Sequence, residues 1–159
     1  SCSRATLAQI ALLKASNPSR EVAADAVMTG ALTPEHAAEW ALAAEGLPIV
    51  YSSADPAVVA AVQAEYGTEK AATALENFFS ETARLLVTGG AARLIVAGGE
   101  TSGAVVEGLR LRQLSVGPES DPGGPCLRAS DGLVIALKSG NFGAEDFFEK
   151  AANLMERGA

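Results

Sequence analysis

Apolar positions along this chain follow two rhythms in alternation, one of helical period and one of short uninterrupted runs typical of buried strands. Leu7, Ile10, Ala11 and Lys14 share a helical spacing and predict a helix from about Ser3 to Ala15, stopped by Asn17-Pro18. Residues 20–30 suit either a strand or a helix. Thr33-Pro34-Glu35 reads as a cap, a first-turn proline and an acidic residue at the positive end of a second helix. That helix carries Ala37, Trp40, Ala41 and Ala44 on one face and ends at Gly46. Leu47 to Tyr51 is a buried strand. Asp55-Pro56 opens a helix that ends near Gly67, and a long helix follows from Thr68 to Val87. Ala72, Leu75, Phe79 and Leu86 mark the buried face of the long helix.

There is no internal repeat, but two segments of the second half share one design. Arg93 to Ala97 is an apolar strand that runs into Gly98-Gly99-Glu100-Thr101-Ser102-Gly103, and a helix follows from Ala104 to Leu111. Leu133 to Leu137 is another, followed by Lys138-Ser139-Gly140-Asn141-Phe142-Gly143 and a helix bearing Phe147, Phe148, Ala151, Leu154 and Met155. Between them, Leu114 to Val116 forms a short strand and Pro118 to Pro125 a Gly- and Pro-rich loop. The alternation predicts an α/β domain of three layers, with a mostly parallel sheet between helices.

Length and charge narrow the picture. A chain of 159 residues makes one domain and buries a core without disulfides or metals. The formal charge of -7 repels phosphate backbones and argues against nucleic acid. An anionic ligand must then be held by local donors or a metal ion. No apolar stretch is long enough to span a bilayer, and the first residues do not lead into a signal peptide, so the expectation is a soluble, cytoplasmic protein with no membrane partner. The two cysteines, Cys2 and Cys126, make no disulfide framework and are expected to be reduced, Cys126 as a small buried or loop side chain. A start at serine fits a processed product, a trimmed chain or a piece of a longer protein.

The chemistry concentrates in the two strand–Gly turn–helix units. In a parallel sheet their turns share one edge, where ligands bind. Glycine permits close backbone approach, and N–H groups at a helix start hold phosphate. The same pattern also suits plain connections that need glycine for geometry, and neither turn matches the Walker A or G-x-G-x-x-G patterns. His36, near a helix start, reads as a solvent residue, and Trp40 as core. Tyr51 ends a strand on the ligand edge. Residues 121–124 form either a lid or a simple loop.

Four segments together resemble a known family. They are Ser1-Cys2-Ser3-Arg4-Ala5-Thr6; Val87-Thr88-Gly89-Gly90 with Val96-Ala97-Gly98-Gly99-Glu100-Thr101-Ser102; Gly117-Pro118-Glu119 through Pro122-Gly123-Gly124-Pro125; and Lys138 to Gly143 as KSGNFG. In this order they resemble the C-terminal nucleotide-binding domain of the four-carbon acid sugar kinase family. The resemblance implies that ATP is held by Ser3 or Ser1, by Gly98, Gly99, Glu100, Thr101, Ser102 and Gly103, and by Lys138, Ser139, Gly140, Asn141 and Gly143. Glu100 would coordinate Mg2+ directly or through water, or bond the ribose. Lys138 would meet a phosphate as a point charge.

The family's Asp-Asp-x-Thr-Gly-Ala motif, which belongs to an N-terminal sugar-acid-binding domain, is absent here. The expected partners are therefore that domain and a small sugar acid, with the catalytic base in the missing half and this fragment inactive alone. An isolated half exposes apolar surface, which favours a homodimer. A stand-alone nucleotide- or phosphometabolite-binding module without catalysis, and a purely structural domain, are the rival readings.

Overall fold

The computed structural model describes residues 3–52 and 56–157. Ser1, Cys2 and Asp55, each part of an expectation above, lie outside the described residues. The helices are α1 (Arg4–Lys14), α2 (Ala24–Met28), α3 (Pro34–Ala43), α4 (Pro56–Tyr66), α5 (Thr68–Thr88), α6 (Gly99–Gly108) and α7 (Phe147–Glu156). The strands are β1 (Ser19–Val22), β2 (Ile49–Ser52), β3 (Arg93–Ala97), β4 (Leu114–Asp121), β5 (Gly124–Ala129) and β6 (Val134–Lys138).

The α/β class and the three layers hold. β1 and β2 form one parallel pair, and the other four strands form a sheet in the order β3-β6-β5-β4. β3 and β6 run parallel, with Ala97 opposite Lys138, whereas β5 is antiparallel to both β6 and β4. Alternation along β3 and β6 sorts the layers. Ile95, Ala97, Val134 and Ala136 face α1 and α7, where Leu13, Phe147, Phe148 and Ala151 complete one core. Leu94, Val96, Ile135 and Leu137 face α5 and α6, meeting Ala83 and Val105. A third cluster joins Val22, Ala37 and Phe78.

Several elements differ from the pattern-based expectations. Residues 20–30 resolve into a strand followed by a short helix, so both readings of that stretch were partly right. Residues 118–125 are no loop but the middle of a β-hairpin, turned at Gly123 with φ of +82°. Its prolines are tolerated because β4 is an edge strand with shifted register after Val116, and because Pro125 precedes the pairing of β5 with β6.

α6 starts at Gly99 rather than Ala104 and ends at Gly108, so only Gly98 is a true turn residue. α3 ends at Ala43, short of Gly46. In α1 the fully buried positions are Thr6, Gln9 and Leu13, while Leu7 and Lys14 are exposed. In α5 they are Ala71, Phe78, Thr82 and Ala83, and Ala72 is exposed. α7 buries Phe147, Phe148, Ala151 and Met155 as its spacing predicted.

Candidate functional site

The two glycine turns meet because their strands are neighbours. The amide of Gly98, at the end of β3, donates to the carbonyl of Lys138, at the end of β6, at 2.8 Å. Gly98 is buried with φ of +112°, a conformation that favours glycine, and it turns the chain straight into α6. Gly99 is exposed, and a Cβ placed on it would lie 4.0 Å from the Cβ of Ser139, so the two turns line one surface.

The sixth strand's parity puts Lys138 on the same face as Val134 and Ala136, towards α1. There its ammonium, 1% exposed, donates to the Thr6 hydroxyl and to the Gly140 carbonyl, each at 2.8 Å. Burial lowers its pKa from the ordinary lysine value. The Ser3 hydroxyl donates to the same Gly140 carbonyl at 2.9 Å and accepts from the Thr6 amide at 3.2 Å, capping α1. Asn141 caps α1 a second time, its Oδ1 accepting from the Ala5 amide at 3.3 Å. The start of α1 and the loop after β6 are thus locked together.

Two residues that the sequence reading missed complete this lock. Thr6 holds the Lys138 ammonium. Gln9, 1% exposed, donates through Nε2 to the carbonyls of Phe142, Gly143 and Ala144 at 3.1, 3.1 and 2.8 Å. Polar side chains at the spacing of a buried helical face were the available signal, and choosing the face by hydrophobicity hid it. Asp121, at the end of β4, anchors the far side of the loop. Its carboxylate accepts from the Ala144 amide at 3.0 Å and from Lys150 at 3.1 Å. The Ala144 amide, then Lys150, holds its pKa below the usual carboxylate value against the opposing effect of burial.

The amino end of α6 is built differently. No side chain caps it, so the amides of its first turn point outward at the positive end of the helix dipole. Glu100 and Gly103 are exposed there, Thr101 is half-buried, and the buried Ser102 hydroxyl has no hydrogen-bond partner among the described residues. The Glu100 carboxylate is itself favoured at the positive end of the helix dipole, and it stands where a cation between it and a bound anion would find a ligand. No group of three or more His, Cys, Asp or Glu gathers to hold a metal among the described residues. A Mg2+ ion here would therefore take most of its ligands from phosphate oxygens and water.

Of the remaining candidates, His36 is exposed, and Trp40 is half-buried with the Arg20 guanidinium 5.8 Å from its ring centre. Tyr51 lines a cavity beside β3, and its hydroxyl lies 3.5 Å from both Lys14 and Glu21. Cys126 is a free, buried thiol, and burial pushes its pKa up. No helix among the described residues is long and apolar enough to cross a membrane.

Residues 1–148 match the family described as the nucleotide-binding C-terminal domain. This chain belongs to that family. Among curated relatives of this nucleotide-binding domain, the 3-oxo-tetronate kinase of Pseudomonas fluorescens is 43% identical across 99% of the chain, and that of Brucella melitensis is 41% identical across 97%. The chain spans only 37% and 36% of those proteins' lengths. A crystal structure of a Haemophilus influenzae protein has the same fold, with a TM-score of 0.89 and 34% identity, over 97% of this chain and 38% of that one. The nucleotide-binding domain is thus related to one part of longer kinases.

Proposed function

We propose that this chain is the ATP-binding half of a kinase that transfers the γ-phosphate to a hydroxyl of a four-carbon sugar acid held by a second, N-terminal domain. The observation that carries this reading is the uncapped amino end of α6 set against the glycine loop after β6. The amides of Gly99, Glu100 and Thr101 would receive phosphate oxygens, with the Thr101 and Ser102 hydroxyls beside them. Glu100 would face the bound anion through Mg2+, which supplies charge neutralisation between phosphate oxygens.

Lys138 contributes from beneath. Its ammonium fixes the Gly140 carbonyl and adds positive potential under the loop, while Ser139 and Gly143 shape the loop's outer surface. The locked start of α1 gives Ser3 and Asn141 the task of holding that loop in place. Phosphoryl transfer depends mainly on positioning and charge stabilisation, which suits such a rigid donor site. The relatives' identity as 3-oxo-tetronate kinases supports the acceptor class, and their greater length supports a second domain that carries the acceptor and the base.

Calorimetric titration with ATP, with and without MgCl2, tests the reading. Binding that tightens with Mg2+ and is lost in Gly99→Val is expected. ATP affinity that is equal in Gly99→Val and the parent would remove this turn from the site. Binding of sugar acid but not ATP would overturn the assignment.

A further inference from the structure

The sheet is interrupted at one place. A cavity of about 360 Å3 lies between β2 and β3, lined by every residue of both strands, from Ile49 to Ser52 and from Arg93 to Ala97. When successive residues of a strand all line a cavity, it is the strand's edge that faces it, because side chains alternate between the two faces. Among the described residues, β2 is paired only with β1, and β3 only with β6. The facing edges therefore carry unpaired backbone groups.

Their directions agree. α1 begins beside Gly140, just past the C-terminal end of β6, and ends where the Asn17 side chain accepts from the Leu47 amide, just before β2. One helix thus runs antiparallel to both strands, so β2 points the same way as β6 and β3. The Ile49 amide donates to Pro18 and the Gly98 amide to Lys138. By alternation, the amides of Val50 and Ser52 on one side, and of Ile95 and Ala97 on the other, face into the gap.

Both faces of the gap are roofed by apolar helix surface. Ile10 and Leu13 of α1 and Met155 of α7 cover one face, and Phe79 and Leu86 of α5 and Val105 of α6 cover the other. Phe79 and Leu86 remain only half-buried for want of a filling. A strand buried on both faces in a parallel sheet is a continuous apolar run.

We propose that this gap is the seat of a parallel β-strand of apolar residues, supplied by the polypeptide that directly precedes the matched region in the longer relatives. The matched family is a C-terminal domain, and the relatives extend well beyond it. The route fits as well: Ser3 caps α1 at the C-terminal edge of β6, and Thr6, one turn on, lines the gap. A strand rising through the gap would turn directly into α1, giving a third strand–turn–helix unit beside those of β3 and β6. Its seating would make one continuous sheet, β1-β2-strand-β3-β6-β5-β4.

The test uses this chain and a synthetic peptide of about eight residues, long enough for one strand. Its sequence is that directly preceding the matched region in the Pseudomonas fluorescens relative. Saturable binding is expected, with hydrogen exchange at the Val50, Ser52, Ile95 and Ala97 amides slowed at least about tenfold. The amides on the free edge of β4 should be unaffected. Ala152→Phe, which fills the gap from α7, should abolish binding; if that variant does not fold, the exchange pattern in the parent decides alone.

Peptide binding without protection of those amides would overturn the proposal. So would protection of the same amides by ATP alone, which would make the gap a nucleotide pocket, or by dimerisation of the free chain, which would make it an interface between copies. Failure of the peptide to bind at millimolar concentration would also overturn it, and ATP affinity is scored separately.

Discussion

The Gly98 amide bonds the Lys138 carbonyl across the ends of two parallel strands, and this one contact sets the glycine start of α6 beside the loop that ends at Gly143. Residues 40 positions apart in the chain become the two walls of one surface, the proposed seat of the nucleotide's phosphates.

Gly99→Val should leave the fold intact and weaken ATP binding by at least about tenfold, roughly 1.4 kcal/mol. Gly99 is exposed, has no positive φ, and has only the Ser139 Cβ, 4.0 Å away, near an added Cβ. The branched side chain would stand where phosphate approaches the amides. Circular dichroism and calorimetry on the same preparation separate the two effects.

Gln9→Met keeps the volume but removes the donor that serves three carbonyls. Losing the donor shared by these partly solvated carbonyls should cost about 1 kcal/mol of stability. Urea unfolding measures this, and a companion ATP titration should show weaker binding because the loop loses its support.

Gly124→Ala should destabilise the hairpin end and the loop together. The new Cβ would lie 2.7 Å from the Phe142 ring and 3.2 Å from Phe147, whose rings pack edge to face. Neither ring is a flexible chain end, so the core must shift, at a cost of about 1–3 kcal/mol. A lowered thermal midpoint with loss of near-ultraviolet dichroism is the expected signature.

Asp121 supplies a pH-dependent support. Its pKa is lowered in the folded protein, so its contribution is fully present above the ordinary value of 3.8 and is lost as pH falls through the lower folded value. Asp121→Asn should be less stable than the parent near neutral pH by about 1–2 kcal/mol. The gap between the two should close in acid, as urea unfolding at a series of pH values will record. A constant gap down to strong acid would exclude a charge-dependent role.

Much of this architecture was legible in the chain. β3 falls where the Arg93 to Ala97 run put it, and α7 buries the residues its spacing selected, because apolar side chains at a fixed period leave few alternatives. The hairpin was hidden by Pro118, Pro122 and Pro125, which read as breakers. They are harmless only because β4 is an edge and Pro125 lies beyond the span paired with β6, facts of strand order rather than of local sequence. The buried faces of α1 and α5 were misread for a related reason. Thr6 and Gln9 are buried because loop atoms 132 to 135 residues away need hydrogen-bond partners, and Phe79 and Leu86 look outward into the gap beside β3.

The α/β alternation, the two glycine units and the family resemblance all follow from residue type and short spacing along the chain. Tertiary structure alone decided that Lys138 is a buried brace, that α1 is capped by Ser3 and Asn141 while α6 is left open, and that β2 and β3 stand apart across an apolar gap. These depend on which groups meet across the sheet. A side chain's partners in space are fixed by packing and hydrogen-bond satisfaction over the whole domain, and no local pattern records them.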